Sequence, residues 1–224
     1  MEQDTLEVSV VIPTLNAAAT LPRTLAALGP VAEVIVADGG SVDGTAAVAM
    51  GLGTRVISAP RGRGTQIAAG IEAAAGDWLL LLHADTQLGP GWREAVRAHM
   101  AAKPGLAGYF RFALDSDDPR ARRLERAVAW RCRVLALPYG DQGLLIHRVL
   151  LNAAGGMRPL PLMEDVDLVR RLRRSRLTAL DATALTSAAK WHRDGWMRRS
   201  SRNLLCLGLY FMGMPVRVIA RLYG

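Results

Sequence analysis

Lysine is almost missing from this 224-residue chain: of 28 basic residues only Lys103 and Lys190 are lysines. With none before Lys103, the N-terminal half has no lysine-bearing phosphate loop, which argues against a nucleotidyltransferase acting on a triphosphate. Cysteine is equally sparse. Cys132 and Cys206 show neither metal-ligand spacing nor a disulfide framework and read as packing residues in a reducing compartment. Aromatics make up 5% of the chain. No nucleic-acid module and no interleaving of basic with aromatic residues is visible, so DNA and RNA are not expected partners. No apolar run reaches the ~18–20 residues of a membrane span. The nearest, the fourteen uncharged residues 203–216, is broken by Gly208, Gly213 and Pro215 and reads as a buried or surface-lying helix. Met1-Glu2-Gln3-Asp4 is acidic and runs quickly into a strand, unlike a signal peptide. The expected location is the cytoplasm.

What is present is enough apolar residue, 50%, to bury one substantial core. No repeat, linker or low-complexity block divides the chain, and one continuous domain over 1–224 is expected. Residues 1–114 hold 8 basic and 10 acidic side chains, residues 115–224 hold 20 and 10. An arginine-rich half suits phosphates or an anionic surface. The basic tail with Arg217 and Arg221 can either pack on the domain or touch the inner face of a membrane peripherally.

Short apolar runs alternate with helical patterns through the first hundred residues. Strands are expected over Val8–Pro13, Glu33–Ala37, Arg55–Ser58 and Trp78–Leu82, helices over Ala17–Leu28, Gly44–Met50 and Gly64–Ala75. That alternation predicts an α/β fold, a mostly parallel central sheet flanked by helices on both faces. After a helix over Gly91–Ala101 the pattern changes. A strand over Gly108–Leu114 need not be parallel to the others, and an arginine-rich helix runs over Pro119–Ala136. Leu144–His147 is a strand, and Met163-Glu164-Asp165-Val166-Asp167 opens a helix to Ser175. Short strands and a C-terminal helical stretch follow.

Asp38-Gly39-Gly40-Ser41-Val42-Asp43-Gly44-Thr45 joins a strand to a helix. Asp38 sits at the strand's carboxyl end, where open α/β sheets bind ligands, and the glycines permit a sharp turn and close approach. Asp38 can accept from a base or a ribose, or only close the turn; Asp43 can cap the helix. Asp85 ends another apolar strand within His83-Ala84-Asp85. It can hold Mg²⁺ or Mn²⁺, which want few carboxylates plus water and phosphate oxygens, or form an Asx turn. Two strand-end acids suggest one crevice for a nucleotide and a divalent cation. Arg61, Arg63 and Gln66, in a glycine-rich turn before a helix, can cradle a diphosphate. Three acids at 164, 165 and 167 exceed what a helix cap needs, so one is a candidate general base. Asp141 and Gln142, between glycines, can orient a substrate or close a turn. Lys190, Trp191 and His192 can stack and bind phosphate.

In order along the chain, Val10-Val11-Ile12-Pro13-Thr14-Leu15-Asn16, the Asp38–Thr45 run, Gly76-Asp77, His83-Ala84-Asp85, Glu164-Asp165 and Lys190-Trp191 resemble the family 2 glycosyltransferases, inverting enzymes with the GT-A nucleotide-sugar fold. The resemblance covers roughly residues 8–195. Arg63, Gln66, Gly140–Gly143 and the Trp191 region look like the small bacterial branch associated with radical-SAM, selenodomain or arsenosugar gene clusters. It implies a nucleotide-sugar-binding half over 1–103, an acceptor and catalytic half over 104–195, and a helical tail over 196–224. Pro13, Thr14, Asn16, Asp38 and Gly40 would lie along the nucleoside, Ala84 and Asp85 at the diphosphate with the metal on Asp85. Asp165 would be the catalytic base with Glu164 supporting it, and Asp141, Gln142, Lys190, Trp191 and His192 would face the acceptor or a phosphate. The usual Asp-x-Asp reads His83-Ala84-Asp85 here, so its first acid is missing.

Transfer of a single sugar from a nucleoside-diphosphate sugar, UDP-linked by expectation, to a small-molecule or lipid hydroxyl follows from the resemblance. A nucleotidyltransferase on a similar fold and a non-catalytic nucleotide- or lipid-binding protein are the rivals.

Overall fold

A computed structural model describes residues 5–223. In chain order the elements are β1 (Leu6–Thr14), α1 (Leu21–Ala26), β2 (Val31–Asp38), α2 (Thr45–Gly51), β3 (Arg55–Ser58), α3 (Arg63–Ala73), β4 (Trp78–Leu81), β5 (Thr86–Leu88), α4 (Trp92–Ala102) and β6 (Ala107–Leu114). There follow α5 (Pro119–Leu135), β7 (Leu144–His147), α6 (Arg148–Ala153), α7 (Glu164–Leu172), β8 (Leu177–Thr186), α8 (Ala189–Asp194), α9 (Trp196–Phe211) and α10 (Val216–Tyr223). One-turn 3₁₀ helices occupy Gly140–Gln142 and Arg174–Arg176.

All eight strands join one sheet in the order β3-β2-β1-β4-β7-β6-β8-β5. From β3 to β4 every neighbour is parallel. Beyond β4 the sheet is mixed: β7 is antiparallel to both β4 and β6, β8 is parallel to β6, and β5 is antiparallel to β8. Successive strand side chains point to opposite faces, and here both faces are apolar. Val10, Ile12, Leu80 and Leu82 pack with Trp92, Val96 and Phe110 on one side. Val11, Leu79, Leu81 and Ile146 pack with Ile67, Leu168 and Leu172 on the other. Two-sided burial is why these strands read as unbroken apolar runs.

Several boundaries differ from the sequence pattern for local reasons. Residues 17–20 form a turn, and α1 starts at Leu21 with Pro22 in its first turn, where proline lacks no hydrogen bond. Asp43 accepts from the Thr45 N–H at 3.0 Å, so it satisfies the helix start although Gly44 occupies the cap position. The helix expected to reach Ser175 stops at Leu172, because Arg173 takes a left-handed φ of 64°. In place of short strands after it stands the ten-residue β8.

Candidate active site

Beyond the carboxyl ends of β1 and β2 the chain folds into a tight hydrogen-bonded platform. Asp38 ends β2, and its carboxylate accepts from the N–H groups of Gly40 (3.1 Å) and Ser41 (2.8 Å) and from the hydroxyls of Thr14 (2.9 Å) and Ser41 (2.5 Å). Burial opposes its charge, and these four donors outweigh burial, so the carboxyl sits below the usual range. Asp38 therefore organises the turn. Asn16 takes a left-handed φ of 52° and accepts from Val42 N–H at 2.9 Å, locking the two loops together. Pro13 lies beside Ala37 in the β1–β2 register, and Gly40 adopts φ +85° in open space.

Gln66 is 3% exposed, and its amide donates to the carbonyls of Thr14 (2.6 Å) and Ala37 (2.9 Å) while its oxygen accepts from Gly62 N–H. It supports the platform from beneath and presents nothing to a ligand. Ala84 likewise serves the frame, its carbonyl accepting from Thr24 at 3.0 Å. Arg61 is exposed at the rim.

An open cavity is lined by residues that include Arg63, His83, Asp85, Asp141, Asp165 and Lys190, and none of Pro13, Thr14, Asn16, Asp38 and Gly40 is among its lining. Asp85 follows β4, and the Lys190 ammonium donates to its Oδ2 at 2.9 Å. Burial raises and Lys190 lowers the Asp85 carboxyl, which settles below its ordinary value. His83 is pushed down to about 4 by burial and by Arg63. It is neutral at pH 7, and its Nε2 accepts from the Arg63 guanidinium at 3.3 Å, which places its proton on Nδ1.

The three acids of α7 divide into three roles. Asp167 is tied to Arg158 (3.0 Å) and Arg171 (2.8 Å) and holds the helix to its surroundings. Glu164 is fully buried beneath Arg63, with which it forms an ion pair. Burial lifts its carboxyl to about 7 although Arg63 pulls it down. Asp165 reaches the cavity, its Oδ2 accepting from Gly140 N–H and its Oδ1 from Val166 N–H, both at 2.7 Å. Met163, with φ 61°, turns the chain into this helix start, a strained conformation of the kind that gathers at functional sites. Gly140 is required for close approach: a Cβ there would stand 2.6 Å from His83 Nε2 and 3.3 Å from Asp165 Oδ2.

Asp141 is in the same cavity wall with its Oδ1 buried and unpartnered, and burial pushes its carboxyl up to about 6. Its neighbour Gln142 points into the protein, donating to Phe110 O at 3.0 Å and accepting from Tyr139 N–H at 3.2 Å. Trp191 lines the cavity and stacks on Trp196 with centroids 5.9 Å apart. His192 turns away to Ser116, 3.2 Å from its hydroxyl, and to Trp196. Of the expected site residues, Arg63, Asp85, Asp141, Asp165, Lys190 and Trp191 thus share one cavity, while Gln66, Gln142 and His192 are absorbed by the fold. Sequence reasoning missed Tyr139, Arg199, Asn203 and Tyr223, which complete the wall. Arg199 and Asn203 lie within the unbroken polar run Arg198-Arg199-Ser200-Ser201-Arg202-Asn203, so nothing in the sequence set them apart from their neighbours.

A mixed α/β sheet with its crevice beyond the carboxyl ends of the parallel strands is the architecture of the GT-A glycosyltransferases. Residues 9–160 match the family model of Glycosyl transferase family 2, and the chain belongs to that family. An uncharacterized glycosyltransferase of Mycobacterium tuberculosis is 38% identical over 85 residues, 38% of this chain and 39% of that protein. The matched stretch thus spans well under half of that relative. Among solved structures, glucosyl-3-phosphoglycerate synthase from Mycobacterium tuberculosis, in complex with Mn²⁺, UDP and glucosyl-3-phosphoglycerate, superposes with a TM-score of 0.61 at 22% identity, covering 93% of this chain and 80% of that one. S. aureus TarS 1–349 superposes with a TM-score of 0.64 at 15% identity over 82% of this chain and 61% of that one. Identities this low show a common fold.

Proposed function

We propose that this glycosyltransferase moves one hexose from a UDP-sugar to an acceptor hydroxyl with inversion at the anomeric carbon. One observation carries the reading: Asp85, at a strand end, and Asp165, at a helix start, line the same open cavity. The Asp165 carboxylate is fixed by two backbone N–H groups and has no basic partner of its own among the bonds described, so it is placed to take a proton from the acceptor oxygen. The attack comes from the face opposite the departing diphosphate. Neutral His83 and the Arg63–Glu164 pair keep that corner ordered, and the Arg63 guanidinium and Lys190 ammonium lie where charge grows on the leaving group.

The donor set suits a hard cation. Mg²⁺ or Mn²⁺ needs few protein carboxylates when a diphosphate and water supply the other oxygens, and Asp85 would hold it. Such a cation supplies charge neutralisation at the departing diphosphate. His83 in place of a first acid leaves Asp85 as the single side-chain ligand, so most of the cation's oxygens would come from the diphosphate and water. The solved synthase with Mn²⁺ and UDP supports this donor choice by analogy of fold. The bacterial radical-SAM-associated branch and a cytoplasmic location belong to the same reading and rest on the sequence pattern alone.

Thermal unfolding against UDP, GDP and CDP, each with and without Mn²⁺, tests it. A ligand at ~100 times its Kd adds about 2.7 kcal/mol of stability. The expected result is a shift with UDP that requires Mn²⁺ and is lost in Asp85→Ala. A metal-independent shift, unchanged in that variant, would remove Asp85 from the donor site.

A further inference from the structure

Helix α9 wears its apolar residues on the wrong side for a soluble helix. Arg199, Asn203, Cys206 and Tyr210 recur at helical spacing and face inward: Arg199 and Asn203 line the cavity, Cys206 is 1% exposed, and Tyr210 packs against Leu137 and Val166. The opposite stripe faces solvent, with Met197 77%, Leu204 67%, Leu205 59%, Phe211 49% and Met212 75% exposed. Val218 and Leu222 continue it on α10, again exposed. An amphipathic surface helix should turn its polar side outward, and contiguous apolar exposure marks a contact surface.

The charges beside this face have one sign. Residues 195–224 contain five arginines and no acidic residue, and Arg198, Arg217 and Arg221 are exposed. A turn with Gly213 at φ 83° and Pro215 joins the two helices, and Ile219 of α10 is buried in one cluster with Cys206 of α9. Among the described residues no helix is long and apolar enough to cross a membrane. Exposed apolar side chains interspersed with arginine, on helices too short to span, are the pattern of a segment lying in the headgroup region of an anionic bilayer.

We propose that α9 and α10 dock this protein onto an anionic lipid surface through Met197, Leu204, Leu205, Phe211, Met212 and Leu222, with Arg198, Arg217 and Arg221 on the headgroups. The inner stripe of α9 lines the cavity and the outer stripe faces the bilayer, so the same helix joins the site to the docking surface. The surface contact does not depend on the donor or the reaction, so its failure and the failure of the transferase reading are separable.

Co-sedimentation of the full chain with phosphatidylcholine vesicles, with and without phosphatidylglycerol, tests the proposal. At low salt the chain should partition at least about tenfold more to the anionic vesicles, an advantage that falls as salt rises. Leu204→Glu with Leu205→Glu should abolish binding while leaving the unfolding temperature in place, because both side chains are exposed. Arg217→Glu with Arg221→Glu should abolish the preference for anionic lipid. Equal partitioning to neutral and anionic vesicles, or undiminished binding by the double-glutamate variant, overturns the proposal. So does a dimer seen by light scattering that the Leu204→Glu, Leu205→Glu change dissociates while vesicles bind nothing, since a second copy would then be what covers the face.

Discussion

Asp165 and Asp141 face one cavity and are treated oppositely by it. Two backbone N–H groups accompany the Asp165 carboxylate, whereas one Asp141 oxygen is buried with no partner. A general base contributes ~10²–10⁴ to a rate, so Asp165→Asn should lower transfer by about that factor and leave the UDP-induced thermal shift intact. A variant retaining more than a tenth of the activity would place the base elsewhere. For Asp141 the consequence concerns stability. Burial raises its carboxyl from 3.8 to about 6, so between those values the folded state holds a proton that the unfolded state has released. Stability attributable to this group is therefore present at low pH and lost as pH rises through that window. Asp141→Asn escapes the loss. Its unfolding temperature relative to the parent should climb from pH 4 to pH 7, and a difference independent of pH would mean the carboxyl is not desolvated. Neither role was readable from residue type, because adjacent acids and glycines look alike until the fold decides which oxygen keeps a partner.

At the scale of elements, α3 connects the platform to α7. Its second residue, Gly64, abuts the 158–160 segment: an added Cβ would stand 2.6 Å from Leu160 O and 2.7 Å from Arg158 O. Alanine in a helix is otherwise favoured over glycine by ~0.5–1 kcal/mol. The neighbours here are backbone atoms that cannot swing aside, and overpacking costs about 1–3 kcal/mol. Gly64→Ala should therefore destabilise, and a denaturant midpoint at or above that of the parent would show that the segment yields. The same close packing explains which elements were legible. The runs that became β1, β4 and the second half of β2 are buried within the parallel part of the sheet, where apolar continuity is the direct trace of two covered faces. β3 and β7 keep the expected bounds, Arg55–Ser58 and Leu144–His147. β5 has three residues and α6 six, too few for any period to register. β8 is rich in alanine and threonine, with Leu180, Ala182, Ala184 and Thr186 buried at alternate positions. Its period is strict and its hydrophobic contrast is weak, so ten residues passed for several short strands.

For the whole molecule the informative fact is the distance in sequence over which the cavity is assembled, from Arg63 to Tyr223. The strand-end motif His83-Ala84-Asp85 announced two of its lining residues, whereas the equally placed Asp38 only organises its own turn. The wall made by α9 and α10 was not announced, since it exists only after Cys206 and Ile219 bury against Leu162. Leu162 and Met163 directly precede Glu164 and Asp165, so the tail packs on the segment that leads into α7. Ile219 is 0% exposed, and cutting a buried isoleucine to alanine costs ~2–5 kcal/mol. In a terminal helix with one packed face that loss is expressed as local opening more than as global unfolding. Ile219→Ala should accelerate hydrogen exchange over residues 216–223, withdraw Tyr223 from the cavity, and reduce transfer several-fold while the main unfolding transition moves little. Faster exchange in α10 with transfer unchanged would show that the helix only covers the site. A transfer loss that tracks the exchange would show that the tail, through Tyr223 in the cavity wall, is part of the working site.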